Sequence, residues 1–111
     1  MDQETAIEAF AALAQNSRLT IVRKLVKVGP EGLTATEISN RVGIVPSTLS
    51  GHLGVLKRAG LLTATRHSRE IHYAADVSAI TALVTFILSD CCGGEIQHCA
   101  EILFLLKEGE S

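Results

Sequence analysis

Apolar residues recur every three or four positions along the first third of the chain, as in an amphipathic helix. They form two runs, Ile7, Phe10, Ala11 and Ala14, then Leu19, Val22, Leu25 and Val26. The first run predicts a helix over about residues 4–15. The second predicts another helix, which Asn16 or Ser17 can cap and which Gly29-Pro30 ends.

Two further helices are predicted close together in the middle of the chain. In "LTATEISNRVG", Thr34 is followed three residues later by Glu37, which is the pattern of a capping box, and Gly43 ends the helix. After "IVP", the stretch "STLSGHLGVLKRAG" has leucines at helical spacing and ends at Gly60. Two helices joined by so short a turn predict a helix-turn-helix.

Strand-like alternation follows Gly60. The stretches "LLTATRHS" and "EIHYAAD" predict two strands joined at a basic tip, with Ile71, Tyr73 and Ala75 on one face. A fifth helix, apolar nearly all round and capped by Asp76, is predicted over about residues 76–90, and "EIQHCAEILFLLKEG" predicts a sixth. The predicted fold class is mainly α with a small β-hairpin wing, a winged helix-turn-helix.

Length and composition support one folded domain over residues 1–111. The chain is 47% hydrophobic and 20% charged, as in globular proteins of this size. Its net charge of −2 is unevenly distributed, because residues 16–72 carry nine Lys or Arg against three acidic side chains, and the rest carries one Lys against nine. A basic middle between acidic ends is typical of a protein with one surface for a polyanion.

No membrane span or leader is predicted. The longest uncharged apolar stretch, residues 77–88, is much shorter than the roughly 20 residues that a spanning helix needs. The start "MDQETAIEAF" is acidic and lacks the basic beginning of a signal peptide. We therefore expect a cytoplasmic protein with no membrane partner, whose cysteines are reduced.

The fourth predicted helix has a face suited to DNA. Opposite its leucines it carries Ser47, Thr48, Ser50, His52 and Lys57. Small hydroxyl residues let a helix approach the major groove and bond to base edges or phosphates. Basic side chains that would add phosphate contacts are Lys57, Arg58, Arg66 and Arg69. The alternative is that Ser47 only caps the helix and His52 is an ordinary surface residue.

Within these elements, "STLSGHLGVLKRAGLL" followed by "TATRHSREIHYAAD" resembles the recognition helix and wing of the ArsR/SmtB family of metal-responsive winged-helix repressors. The similarity runs from about Ala9 to Asp76. It implies a homodimer on a palindromic operator, with the Ser47, Thr48, Ser50 and His52 side chains facing the groove. It places Arg66, His67 and Arg69 in the wing.

The resemblance also assigns the first and fifth helices to the dimer interface. Candidate interface residues are Ile7, Phe10, Leu83, Val84 and Ile87. For each, the alternative is burial in the core of one chain.

The inducer sites known in the family are mostly missing here. The start of the third helix, "LTATEIS", has no cysteine, the fifth helix has no histidine, and the second has no cysteine for a redox pair. What remains is "SDCCGGEIQHC" over residues 89–99, which contains every cysteine of the chain, Cys91, Cys92 and Cys99.

Three thiolates suit a soft, thiophilic centre. Trivalent arsenic or antimony condenses with three thiols to a neutral adduct, which avoids the cost of burying a charge. In one unbroken helix Cys92 and Cys99 would lie about 10.5 Å apart along the axis, but Gly93-Gly94 can reverse the chain. We expect no permanent cofactor, with As(III) as inducer or else Sb(III) or methylarsenite. In similar family members that use two thiols, the ligand is methylated arsenic, so the role of Cys99 is the open part of this assignment.

Several alternatives remain open for the three thiols. His98 could complete a zinc site, or Cys99 could form a redox disulfide with Cys91 or Cys92. The cysteines could also simply pack as small apolar residues. An enzyme is not expected, because the chain lacks a Cys-x-x-Cys motif and a βαβ pattern.

Overall fold

The structure is a computed structural model that describes residues 1–89. Its elements are α1 (Gln3–Leu13), α2 (Asn16–Val28), β1 (Leu33–Thr34), α3 (Ala35–Val42), α4 (Pro46–Arg58), β2 (Leu62–His67), β3 (Glu70–Ala75) and α5 (Val77–Leu88). The predicted order of five helices with a hairpin between the fourth and the fifth is confirmed. The predicted sixth helix and Cys91, Cys92 and Cys99 lie outside the described residues.

The capping signals in the sequence are confirmed at α3 and α5. The Thr34 hydroxyl accepts a hydrogen bond from the Glu37 N–H at 3.2 Å, and the Glu37 carboxylate accepts one from the Thr34 N–H at 3.0 Å. Asp76 accepts a hydrogen bond from the Ala79 N–H at 3.0 Å. Both helices therefore begin where their sequence predicts.

The prediction that Asn16 or Ser17 caps α2 is wrong. The cap is Gln15, whose side-chain oxygen accepts a hydrogen bond from the Arg18 N–H at 2.8 Å. Helix α1 ends at Leu13, two residues earlier than predicted, and α2 begins at Asn16, so Asn16 and Ser17 lie in its first turn.

The sheet has three antiparallel strands in the order β1-β3-β2. Strand β1 was not predicted, because two residues are too short to show alternation; it pairs Leu33 with Tyr73. The preceding Gly32 has a φ of +67°, and a Cβ there would collide with the Tyr73 carbonyl. Glycine is thus what allows β1 to approach β3.

Strand β3 is confirmed, but the alternating residues Ile71, Tyr73 and Ala75 do not form one buried face. Ala74 is buried, Tyr73 and Ala75 are half-buried, and Ile71 is 47% exposed. Only the base of the hairpin lies over the helices, where Leu62 is buried opposite Ala75. Residues 66–71 around the tip are all exposed, so this part of the hairpin contributes nothing to the core.

The fully buried residues of helix α1 are all alanines, and Leu13 at its end is only partly buried against the core. Ala6, Ala9 and Ala12 are buried, while the larger Ile7 and Phe10 are 58% and 39% exposed. The core beneath is formed by larger side chains from the other elements, namely Ile21, Val22, Leu25, Leu33, Ile38, Leu49, Leu53, Leu56, Leu61, Leu62 and Leu83. Small residues on the inward face leave the large apolar ones of α1 on the outside.

The assignment of Leu83 to a dimer interface is wrong, since it is 2% exposed within one chain. It is the buried residue of α5, and the other two candidates in that helix, Val84 and Ile87, are exposed. Within residues 1–89, no helix is both long and apolar enough to cross a bilayer.

Candidate nucleic-acid interface

A tight turn presents α4 on the surface. The turn between α3 and α4 begins at Gly43, which has a φ of +71° and donates its N–H to the Ser39 carbonyl at 2.9 Å. The Ser39 hydroxyl then donates to the carbonyl of Ile44. On its inner face α4 buries three leucines, Leu49, Leu53 and Leu56. This packing fixes which side of the helix faces outward.

The first turn of α4 is open to a ligand. Pro46 is the first helical residue, and no side chain caps the helix, whereas every other helix of residues 1–89 has a side-chain cap. Ser47, Thr48 and Ser50 are exposed. Ser47 lies inside the helix and does not cap it, so the alternative role considered for this residue is wrong. A helix N-terminus with uncapped N–H groups and exposed hydroxyls suits phosphate oxygens and base edges.

His52 lies at the flank of α4 and is half-buried. Its Nδ1 is 3.3 Å from a terminal guanidinium nitrogen of Arg18. The Nε of Arg18 in turn donates to the Ala12 carbonyl at 2.7 Å. Arg18 and His52 are 34 residues apart in sequence, so no spacing pattern could indicate this contact. Sequence reasoning missed Arg18 altogether as a residue of the site.

Lys57 and Arg58 occupy the last turn of α4 and are exposed. The Arg58 guanidinium lies along the helix above Gly54, where an added Cβ would come within 3.1 Å of it. It lines a groove of about 580 Å³ between α1 and α4, together with Glu8 and Arg18. Lys57 is about 15 Å along the helix axis from Ser47, so these two cannot contact the same phosphate.

The wing carries Arg66, His67 and Arg69, all exposed. The Nε of Arg66 donates to the Ser68 carbonyl at 3.2 Å, and Ser68 has a φ of +60°. The His67 ring meets the ring of His72 edge-on, with centroids 4.7 Å apart. The wing tip is therefore a short basic turn, stabilised from within and open to solvent.

A metal site is not evident within one copy of residues 1–89, where no group of three or more His, Cys, Asp or Glu side chains could hold an ion. The predicted ligands Cys91, Cys92 and Cys99 lie beyond these residues.

Comparison with known sequences connects this geometry to transcription. The family model described as a helix-turn-helix domain matches residues 13–65. The chain is 30% identical over 96 residues to the uncharacterized HTH-type transcriptional regulator YbzH of Bacillus subtilis, covering 76% of this chain and 96% of that protein.

Solved structures refine the family. The homodimeric winged helix-turn-helix DNA-binding domain of Mb0332 from Mycobacterium bovis, described as a possible ArsR-family regulator, matches with a TM-score of 0.62 at 28% identity, over 78% of this chain and 81% of that one. The chain belongs to the ArsR-type winged-helix transcriptional regulators. Another structure, described as a possible transcriptional regulator for arsenical resistance, has a TM-score of 0.63 at 26% identity and covers 74% of this chain and 82% of that one.

Membership in the ArsR-type regulators confirms the predicted fold class, the DNA-binding function and the expectation that the chain is not an enzyme. The individual DNA contacts remain predictions. For this ArsR-type regulator, the structure brings the hydroxyls of Ser47, Thr48 and Ser50 together at one end of α4. It places Lys57 and Arg58 at the other end.

Proposed function

We propose that this ArsR-type regulator is a repressor that binds a palindromic operator as a homodimer and leaves it when trivalent arsenic or antimony binds Cys91, Cys92 and Cys99. The observation that carries the inducer assignment is the position of the thiols. All three cysteines lie within nine residues, and Cys91 follows the last residue of α5, Leu88, by three positions. One structural neighbour is described as a possible transcriptional regulator for arsenical resistance, and the proposal extends that role to this chain.

The operator-binding part rests on the outward face of α4 and on the wing. Exposed hydroxyls at the open end of α4 would lie in the major groove, where they can bond to base edges. The basic side chains that would contact phosphates are Lys57, Arg58, Arg66 and Arg69, and they are all exposed. His67 would approach the backbone with the wing.

The homodimer part rests on apolar side chains that one chain leaves uncovered. Ile7 and Phe10 of α1 and Val84 and Ile87 of α5 are exposed, and α1 contacts α5 in the fold. Large exposed apolar residues grouped on packed helices are typical of a protein interface. A second copy would cover them and place two α4 helices about 34 Å apart, one DNA turn.

The inducer part follows from thiol chemistry. Arsenous acid, As(OH)₃, condenses with three thiols to form three As–S bonds, and the three protons leave with the three hydroxyls as water. The adduct is neutral, so it can lie against apolar helices at low cost. Because the cysteines follow α5, their rearrangement would act on the end of a dimer helix and change the spacing of the two α4 helices. An allosteric coupling of about 1–3 kcal/mol would weaken operator binding about 5- to 150-fold.

Fluorescence anisotropy of labelled operator DNA, with arsenite titrated into the complex, tests the proposal. Arsenite is expected to release the wild-type protein from the operator, whereas the Cys91→Ser, Cys92→Ser double variant is expected to stay bound. Wild type that stays bound in arsenite, or a double variant released at the same arsenite concentration, would show that the inducer assignment is wrong. Parallel titrations with antimonite and methylarsenite, on wild type and Cys99→Ser, determine the preferred ligand and whether the third thiol takes part.

The same assay separates the rival uses of these thiols. A zinc sensor would be released by Zn²⁺ and not by arsenite, and its release would depend on His98. A redox switch would be released by mild peroxide, with a Cys99 disulfide to Cys91 or Cys92 detected by mass spectrometry.

A further inference from the structure

Arg18 joins three helices through one side chain. It lies in the first turn of α2 and donates from Nε to the Ala12 carbonyl at 2.7 Å. That carbonyl belongs to the last turn of α1, where carbonyls lack partners within their own helix. A terminal nitrogen of the same guanidinium lies 3.3 Å from the Nδ1 of His52 in α4. The half-buried Arg18 thus connects the proposed dimer helix to the proposed recognition helix.

The chemistry of the pair fixes the proton on His52. A guanidinium has five N–H donors and no acceptor, so the contact is a hydrogen bond only if Nδ1 presents its lone pair. A neutral imidazole with an unprotonated Nδ1 carries its proton on Nε2. Arg18 therefore selects the Nε2–H form of His52.

The selected donor is on the opposite edge of the ring from Arg18. Nε2 of His52 makes no hydrogen bond within residues 1–89. His52 follows the exposed Thr48 by four residues, so the two lie one turn apart on the same strip of α4. An N–H on this strip would meet DNA beside the Thr48 hydroxyl.

We propose that Arg18 is a positioning residue that holds His52 as the Nε2–H tautomer and makes it a hydrogen-bond donor to the operator. The proposal rests on the proposed entry of α4 into the major groove. A fixed donor there favours an acceptor, such as guanine O6 or a purine N7, and disfavours the amino group of cytosine. Arg18 would thereby contribute to sequence preference without contacting a base.

The tautomer can be read in the free protein by long-range ¹H–¹⁵N correlation of the imidazoles at about pH 8, where ordinary histidines are neutral. The His52 signals are assigned by their loss in His52→Gln. Wild type is expected to show a protonated Nε2 and an unprotonated Nδ1. Arg18→Gln is expected to show a mixture of the two tautomers, whereas Arg23→Gln, which removes the same charge from the exposed side of α2, keeps the wild-type pattern.

Operator binding supplies the functional half of the test. An Asn side chain at position 52 can still accept from Arg18 but does not reach as far as Nε2, whereas Gln reaches that far but is not held by Arg18. His52→Asn removes the donor and is expected to weaken operator binding about tenfold. Arg18→Gln leaves the donor in part of the molecules and releases the ring, so it is expected to weaken binding by less, about three- to fivefold. The double variant should bind no more weakly than His52→Asn alone, because both changes act on the same donor. Arg23→Gln should stay within about twofold of wild type. In a scan of single operator base pairs, Arg18→Gln should lose the preference for an acceptor at one position.

The outcomes separate this proposal from the proposed function. If wild type fails to bind any operator, the proposed function fails before Arg18 is tested. If wild type binds but His52 carries its proton on Nδ1, or if Arg18→Gln and Arg23→Gln weaken binding equally, the positioning role is overturned. The positioning role would also be overturned if Arg18→Gln made the slope of log affinity against log salt shallower by about 0.9, the contribution of one phosphate. Such a change would indicate that Arg18 contacts a phosphate directly. Circular dichroism of each variant verifies folding. His52→Gln leaves the hydrogen bond from Arg18 to the Ala12 carbonyl in place, so weaker operator binding by this variant cannot result from loss of that bond.

Discussion

Two exposed surfaces of this ArsR-type regulator are built in opposite ways. The apolar surface, formed by Ile7, Phe10, Val84 and Ile87, consists of large side chains on α1 and α5. The polar surface consists of small hydroxyls and basic groups on α4 and the wing, namely Ser47, Thr48, Ser50, Arg66, His67 and Arg69. Large exposed apolar groups gain favourable free energy when a second protein surface covers them and removes them from water. Small hydrogen-bonding groups suit the charged, polar groove of DNA. The difference indicates a separate partner for each surface.

The buried sides of the same helices show the reverse arrangement. Helix α1 presents alanines to the core, and α4 presents leucines. Alanines let α1 pack closely while its large residues remain available to a partner. Leucines anchor α4 firmly, so its small outward residues can be held in fixed positions. In each helix the buried face determines how the exposed face is used.

A substitution in the hydrophobic core should have the largest effect, a loss of free energy of unfolding. Leu56 of α4 is fully buried, so Leu56→Ala removes packing and leaves a cavity, and we expect a loss of about 2–5 kcal/mol in the free energy of unfolding. Leu19→Ala, at a 46% exposed position, is the control, with a loss of about 0.5 kcal/mol. Urea denaturation measures both. Similar losses in the two variants would contradict the assignment of the core.

Removal of one hydroxyl from the polar surface should affect DNA binding alone. Thr48→Ala deletes one proposed hydrogen bond of about 1 kcal/mol, so operator affinity should fall about five- to tenfold with no change in dimerisation. Thr20→Ala is the matched control, because the Thr20 hydroxyl donates to the Asn16 carbonyl of its own helix at 2.9 Å. Anisotropy gives both affinities, and equal values for wild type and Thr48→Ala would count against α4 as the reading element.

Loss of a wing charge should change how operator binding responds to salt. Each phosphate neutralised contributes about 0.9 to the slope of log affinity against log salt, so Arg69→Gln should make the slope shallower by about that amount. Arg23→Gln on α2 removes an equal charge away from the polar surface. If the two variants have the same slope, the wing does not contact phosphate.

The smallest expected effect is on the pH dependence of stability, and it comes from the capping box at the start of α3. The Thr34 N–H donates to the Glu37 carboxylate and is the main cause that lowers the pKa of Glu37 below its ordinary value of 4.5, and the nearby Thr34 side chain acts in the same direction. A lowered folded-state pKa stabilises the fold above the unfolded-state pKa, and this stabilisation disappears as the pH falls through the folded value. The stability difference between wild type and Glu37→Gln should therefore be constant from neutral pH to about pH 5 and narrow below 4.5. A difference that persists to pH 3 would contradict this origin, and Glu31→Gln controls for the lost charge.

Local signals in the sequence predicted most of the fold. The capping box at Thr34 and Glu37, the glycine at the end of α3 and the polar tip between β2 and β3 each determine structure within a few residues of themselves. Their effect does not depend on distant parts of the chain, so single-sequence patterns suffice to find them.

Features that depend on contacts between distant segments could not be predicted this way. The pairing of β1 with β3, the burial of Leu83 and the contact between Arg18 and His52 all join residues far apart in sequence. The apolar run of α1 correctly indicated a helix, but periodicity could not show that its alanines face inward. The cysteine assignment lies beyond residue 89 and stays a prediction from thiol chemistry and from the resemblance.

The separation of the two surfaces is tested most directly by the oligomeric state of Phe10→Glu, measured by size-exclusion chromatography with light scattering. Phe10 is 39% exposed in one chain, so the substitution should leave the fold intact while placing a charge in the proposed interface. We predict a folded monomer of 11.8 kDa that binds a single half-site and has lost the affinity of wild type for the full operator. A dimer with unchanged operator affinity would contradict the assignment of the apolar surface to a second copy of the chain.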